Sequence, residues 1–378
     1  MIWQSRSLTD ARAKSAMHPS LPATSMFVVA IVTVSPVRKL RERRRPACFE
    51  YTSLLLPFGL KQLTLPASKL TGWHGRKGDV MEKRQFGKTG MQVSVLGFGG
   101  AEIGYEGATQ QTVNELLSAA LDQGLNVIDT AECYSGSEDL IGVAVSHRRN
   151  DFYLFTKCGH GTSYMDPKWT GKDVAQQIDR SLKRLKVDHV DLVQLHSCSA
   201  DILRQGEVVA ALQQACKAGK TRFIGYSGDG EDAVYAINMD IFDTLQTSVS
   251  IADQEALDLT IPAAAKKGMG IIAKRPIANA AWRSKTKPAN EYIQPYWERL
   301  QQLKYDFING NPTESVEKAL RFTLSVPGVH CAIVGTTKPG RWRENADLLE
   351  KGALKKEEFE AIRQIWHKIA GKDWVGQV

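Results

Sequence analysis

The stretch Asn126-Val-Ile-Asp-Thr-Ala-Glu-Cys-Tyr134 decides how the rest of the chain is read. A short apolar run ends in a carboxylate, Asp129, and a phenol follows five residues later on a loop. Short apolar runs bounded by turn residues mark strands buried on both faces, as in a parallel sheet. Working outward, the same pattern recurs. Strands are expected at 93–97, 126–129, 152–157, 190–196, 222–227, 242–246, 270–274 and 331–335. Helical patterns alternate with them, which is the signature of βαβ units. Eight such units point to an α/β fold, a (β/α)8 TIM barrel, for which roughly 250 residues is usual.

The helices have start signals of their own. Val174, Ile178, Leu182 and Leu185 recur at helical spacing behind Thr170 and Asp173, a capping-box-like pair. Asn311 and Pro312, with Glu314, open a helix carrying Val316, Leu320 and Leu324. Residues 339–370 read as two C-terminal helices. The long interval between Lys274 and Gly335 leaves room for an inserted helix near 291–303. Ahead of the barrel, Met81-Glu-Lys-Arg-Gln-Phe-Gly-Lys-Thr-Gly90 reads as an N-terminal β-hairpin with its turn at Gly-Lys-Thr-Gly. A doubly wound dinucleotide fold would need a fingerprint, and Gly97-Phe-Gly-Gly-Ala-Glu102 lacks its third glycine.

Charge divides the chain at the same place. Residues 1–80 hold 13 Lys+Arg and 4 Asp+Glu, whereas 81–378 hold 36 and 37. The barrel is therefore close to neutral, and the net charge of +8 argues for no nucleic-acid surface. In the leader, Met26 to Val34 is an apolar run of nine residues, too short for the roughly 20 that a membrane helix requires. We expect two regions: a leader at 1–80, disordered, serving as a targeting segment or an upstream extension, and a catalytic body at 81–378. The six cysteines form no C-x-x-C pair, so no zinc or other metal site is expected, and their scatter fits a cytoplasmic compartment.

Asp129, Lys157, His196, Ser227, Gln246 and Lys274 each stand at or beside the C-terminal end of an apolar strand. A closed parallel barrel gathers those ends at one mouth, where such barrels carry catalysis. A phenol with a reference pKa of about 10 is a weak acid at neutral pH. An ammonium beside Tyr134 is expected to favour the phenolate, and Asp129 would balance that ammonium once buried. His196 can orient a carbonyl by a hydrogen bond.

Asp129-Thr-Ala-x-x-Tyr134, Phe-Thr-Lys157, Leu-His196 and Gly219-Lys-x-Arg-x-Ile-Gly-x-Ser227 together resemble the aldo-keto reductase superfamily, in order, over essentially all of 81–350. The resemblance implies NADPH-dependent reduction of an aldehyde or ketone, with Tyr134 as general acid, Lys157 and Asp129 tuning it, and His196 orienting the carbonyl. It also implies that Ser227 and Gln246 bind the nicotinamide carboxamide. The segment Val334-Gly-Thr-Thr-Lys-Pro-Gly-Arg-Trp-Arg-Glu-Asn345 resembles the adenosine 2′-phosphate segment, with Gly335, Thr336, Thr337, Lys338, Arg341 and Asn345 on the cofactor. A helix start after a strand offers free N–H groups to an anion, and Lys338 and Arg341 add positive charge.

Two positions depart from the family pattern. Gly228 replaces a polar residue beside the carboxamide serine, and Lys274 stands where an aromatic ring commonly covers the nicotinamide. Tyr164 and Trp282 fall in loops that can overhang the mouth. Two other functions fit parts of the pattern. One is a non-catalytic, cofactor-binding, redox-sensing subunit; the other is a Schiff-base lyase using Lys157. The expected partner is a small carbonyl compound, with no nucleic acid and no membrane.

Overall fold

The computed structural model describes residues 81–377, so the expectations for 1–80 lie outside the described residues. The chain enters through a hairpin of β1 (Lys83–Gln85) and β2 (Gln92–Ser94), antiparallel with Arg84 opposite Val93. Its turn presses against the barrel floor. Gly87 has φ +52°, and a Cβ there would lie 2.4 Å from Gly268 O and Gly270 N, so close approach as well as conformation requires glycine.

Eight strands follow: β3 (Leu96–Gly99), β4 (Val127–Asp129), β5 (Tyr153–Cys158), β6 (Val190–His196), β7 (Thr221–Ser227), β8 (Thr244–Ser248), β9 (Gly270–Lys274) and β10 (Cys331–Gly335). All pair in parallel, and β10 pairs with β3 to close the barrel. This is the (β/α)8 architecture expected from the sequence.

Three boundaries differ from expectation. Val93 belongs to the hairpin, because Ser94 Oγ donates to Leu96 O (2.8 Å) at the bend between β2 and β3. The sixth barrel strand starts at Thr244, not 242, because the Asp243 carboxylate takes the Ile224 N–H (3.1 Å) before the regular ladder begins. Gln246 therefore sits within its strand, which runs on to Ser248. The inserted helix spans Gln294–Leu303, with Pro295 in its first turn, where a missing N–H costs nothing.

The helix Gly171–Leu185 is capped by Thr170, whose side chain accepts the Asp173 N–H (3.1 Å), and it buries Val174, Ile178 and Leu185. The helices Pro312–Ser325, Arg341–Leu348 and Lys356–Ile369 complete the outer layer towards the C-terminus.

Side chains two apart on a strand share a face, and the lumen is layered accordingly. Val127, Phe155, Leu192, Phe223, Ile272 and Cys331 form an apolar layer plugged from below by Phe86, Met91 and Val93. Two residues further along the same strands stand Asp129, Lys157, Gln194 and Lys274. Among the described residues, no helix is long and apolar enough to cross a membrane.

Candidate active site

The polar layer is built around one buried ion pair. Lys157 donates through Nζ to Asp129 Oδ2 and to Thr130 O (3.0 Å), and both side chains of the pair are 1% exposed. Asp129 Oδ1 also accepts from Gln194 Nε2 (3.2 Å) and Gln246 Nε2 (3.0 Å). A buried pair is tolerated when its remaining valences are met, and these amides meet them. Gln194 was not singled out from sequence; its signal is parity, two residues before His196 on a strand whose alternate residues face the lumen.

Tyr134 rides on the loop after β4, and that loop is anchored from outside. Buried Glu132 accepts from Arg180 Nε (2.6 Å), Arg184 donates to Glu132 O (3.2 Å), and Glu138 accepts from Thr156 Oγ1 (2.7 Å). The anchoring leaves Tyr134 half-buried with Lys157 Nζ 5.0 Å from its ring centroid. The His196 ring meets it edge to face at 5.7 Å. Asp129, Tyr134, Lys157 and His196 are thus gathered at one spot.

The electrostatics differ from the sequence expectation in one respect. The Tyr134 phenol is pushed well above its ordinary value, first by burial and then by the Asp129 charge. The Lys157 ammonium is committed to Asp129, so the phenol keeps its proton and is a donor at rest. His196 is held well below its ordinary value by burial, and next by Lys157 and His160, so its imidazole is neutral near pH 7. Cys133 Sγ lies 3.5 Å from His196 Nδ1, and burial pushes that thiol up to about 12, which makes it a poor nucleophile.

Further residues line the mouth. Tyr105 stands 5.7 Å from Tyr134, and Tyr164 stands 5.5 Å from His196, centroid to centroid. Trp282 packs against both large hydrophobic clusters and is a core contact.

Around the mouth, Ser227 Oγ donates to Gln246 Oε1 (3.3 Å), which links the two residues expected at the carboxamide. Lys274 Nζ is 2.8 Å from Asp229 Oδ2, and burial, partly offset by Asp229, brings its pKa down to about 8. Asp229 also accepts from Thr247 Oγ1 (2.7 Å) and Ser248 N (2.6 Å). Asp229, a second residue missed from sequence, thereby fixes the head of Lys274.

After β10, Gly335 abuts the Glu102 carboxylate, Thr337 Oγ1 donates to Glu106 (2.9 Å) and Asn345 is buried. Thr336 Oγ1 accepts the Lys338 N–H (3.1 Å). The helix Arg341–Leu348 starts at Gly340 with no side-chain cap; the Arg341 N–H goes to Lys338 O (3.0 Å), which leaves the amides of Trp342 and Arg343 for an anion. Lys338 is exposed and has no ion pair among the described residues, whereas Arg341 is 2.7 Å from Glu344. This donor set fits a phosphate-bearing dinucleotide. The nearby Glu102 carboxyl is raised above its ordinary value by burial, which lessens its repulsion of an anion.

Comparison with known proteins places the chain in a family and a fold. The sequence model described as the Aldo/keto reductase family matches residues 95–367. L-galactose dehydrogenase of Arabidopsis thaliana is 27% identical over 312 residues, 78% of this chain and 97% of that protein. A putative voltage-gated potassium channel subunit beta of Schizosaccharomyces pombe is 26% identical over 306 residues, 71% of this chain and 88% of that one. Among solved structures, an aldo/keto reductase from Klebsiella pneumoniae in complex with NADP and acetate has the same fold. Its TM-score is 0.63 at 24% identity, over 79% of this chain and 100% of that chain.

Proposed function

This chain belongs to the aldo/keto reductase family, and from that premise we propose that it reduces an aldehyde or ketone to the alcohol, reversibly, using NADPH. The observation that carries the reading is the buried Lys157–Asp129 pair beside a protonated Tyr134, with neutral His196 at the ring edge. The reduced nicotinamide, when bound, supplies a hydride to the carbonyl carbon.

The chain's own residues do the rest. His196 orients the carbonyl oxygen by a hydrogen bond. Tyr134 gives its proton to that oxygen as negative charge develops on it, so the alkoxide never forms free. Lys157 faces the phenolate left behind, and Asp129, with Gln194 and Gln246, holds the ammonium in place. Ser227 and Gln246 would hold the carboxamide. Gly335, Thr336, Thr337, Lys338, Arg341 and Asn345 would hold the adenosine phosphate end. Lys274, pinned by Asp229, would lay its alkyl stem where family members commonly carry a ring. The two cations Lys338 and Arg341 favour NADPH over NADH.

The channel-subunit relative keeps a second reading in play, a cofactor-binding redox sensor without turnover. The full Tyr-Lys-Asp-His set favours catalysis. A Schiff base on Lys157 is disfavoured, because Asp129 and Thr130 O already engage that amine. A panel of aldehydes, ketones and sugars, followed by loss of NADPH and NADH absorbance, tests the proposal. Turnover with NADPH exceeding that with NADH is expected; no oxidation of either cofactor by any carbonyl would leave the sensor reading.

A further inference from the structure

His160 has a hydrogen-bonding problem that its surroundings make informative. Its Nε2 lies 2.6 Å from the main-chain oxygen of His196, and its Nδ1 lies 3.0 Å from that of Tyr164. Carbonyl oxygens only accept. A neutral imidazole has one N–H and can satisfy one of them, whereas an imidazolium satisfies both. The ring is 7% exposed. It stacks on Tyr164 at 4.0 Å, and it meets His196 (5.2 Å) and Trp169 (5.5 Å) near edge-on. Tyr164 in turn meets the His196 ring at 5.5 Å and donates to Ser197 Oγ (3.4 Å). Nothing in the hydride or proton chemistry uses His160, yet it touches both a residue that would orient substrate and the loop in front of it.

We propose that His160 is a positioning residue that fastens the loop 159–169 to the catalytic end of β6 through the His196 carbonyl and folds that loop on itself through the Tyr164 carbonyl, so setting Tyr164 as the substrate-facing wall over His196. The proposal rests on the reading of this mouth as a carbonyl-reducing site. Near neutral pH the proton stays on the shorter contact, at His196 O, because burial opposes a second proton. Acidification adds the second donor and tightens the turn between His160 and Tyr164.

Other titratable groups surround this contact. His196 stands on β6, with Lys157 from β5 and Tyr134 from the β4 loop behind it. Lys274 and Arg275, at and just after the end of β9, act on His196. On its own loop, Asp166 and Lys168 pair with each other at 2.9 Å on the surface, and Tyr164 covers the ring. Asp173 opens the following helix and is bound to Thr170.

His160→Phe keeps the stack and loses both nitrogens; His160→Gln keeps a donor. Hydrogen exchange in the wild type and both variants reads the loop without reference to activity. Exchange over 160–166 should quicken about tenfold in H160F, the effect of losing one or two hydrogen bonds, and less in H160Q. Exchange in the β4 and β9 segments should not change. With a carbonyl substrate, KM should rise about tenfold in H160F, with kcat and NADPH affinity within about twofold of wild type. Wild-type KM should fall as pH drops below about 6.5, where a lowered His160 takes up its second proton, and the variant's should not. Unchanged loop exchange in H160F overturns the proposal. So does a loss of thermal stability and kcat together in both variants, since that marks a core residue. Should H160F not fold, H160Q carries both measurements. Should the wild type reduce no carbonyl, the activity reading fails while the exchange result still decides the fastening.

Discussion

The two ends of the barrel are made from the same strands and are chemical opposites. At the floor, Val127, Phe155, Leu192, Phe223, Ile272 and Cys331 meet the hairpin's Phe86, Met91 and Val93 in an apolar plug. At the mouth, two residues further along, Asp129, Lys157, Gln194 and Lys274 are as deeply buried but carry charge or amide. A strand that is apolar on one layer and ionic on the next localises the costs. The floor supplies burial, at roughly 25 cal/mol per Å² of apolar surface, and the mouth spends stability on a desolvated ion pair. Damage at the floor should therefore appear in unfolding and damage at the mouth in kinetics.

The largest effect that can break this division is Phe86→Ala. Phe86 is fully buried, stacks on Phe155 at 5.8 Å and meets His330 edge-on. We expect a loss of about 3–5 kcal/mol in denaturant unfolding, the usual cost of emptying such a site. Turnover of the protein that remains folded should be close to wild type. A matching fall in kcat would show that the two ends are not independent.

Next in size is a pH effect at the floor. His330 Nδ1 accepts the Ile271 N–H (3.0 Å), and burial, helped by Arg84, brings its pKa down to about 4. The unfolded chain takes up that proton near the ordinary value of 6.5, so between the two values the unfolded state binds more protons. Stability is then full above about pH 6.5 and falls as pH drops towards 4, by on the order of 3 kcal/mol. His196 adds a dependence of the same sign, so the test is the difference between wild type and His330→Gln. The variant should show a shallower loss of denaturant midpoint from pH 7.5 to 4, and an identical slope would remove His330 from the account.

The smallest effect belongs to the rim of the mouth. Lys338 is exposed and Arg341 shares its charge with Glu344, so any hydrogen bond from either to a cofactor phosphate would be partly screened. Lys338→Ala should raise KM for NADPH about tenfold with kcat unchanged, and should barely alter KM for NADH. Equal losses with both cofactors would mean that Lys338 does not face the distinguishing phosphate.

Much of this was legible in the chain because strand ends are local. The strands at 190–196, 270–274 and 331–335 lie where hydrophobic runs place them, and Asp129, Lys157 and His196 stand at the ends of β4, β5 and β6 or one residue short. Thr170 and Asn311 cap the helices they were expected to open. What escaped reading depends on contacts between distant segments. Gln194 supports Asp129 from 65 positions away, Asp229 holds Lys274 from the loop after β7, and His160 reaches the backbone of His196. Phe242 extended an apolar run that Asp243 interrupts, which shifted the sixth strand by two. The direction of the Tyr134 shift was also missed, since proximity to Lys157 suggested a lowered value. Burial and Asp129 outweigh that ammonium.

The central claim is that Tyr134 gives the proton at a mouth whose other groups hold it and the carbonyl in place. Tyr134→Phe removes one oxygen and keeps the ring against His196. Stopped-flow carbonyl reduction and NADPH fluorescence titration on the same preparation should show turnover falling by about a thousandfold or more, within the range for a lost general acid, with cofactor affinity within about threefold of wild type. Turnover equal to wild type, with NADPH bound as before, would contradict it.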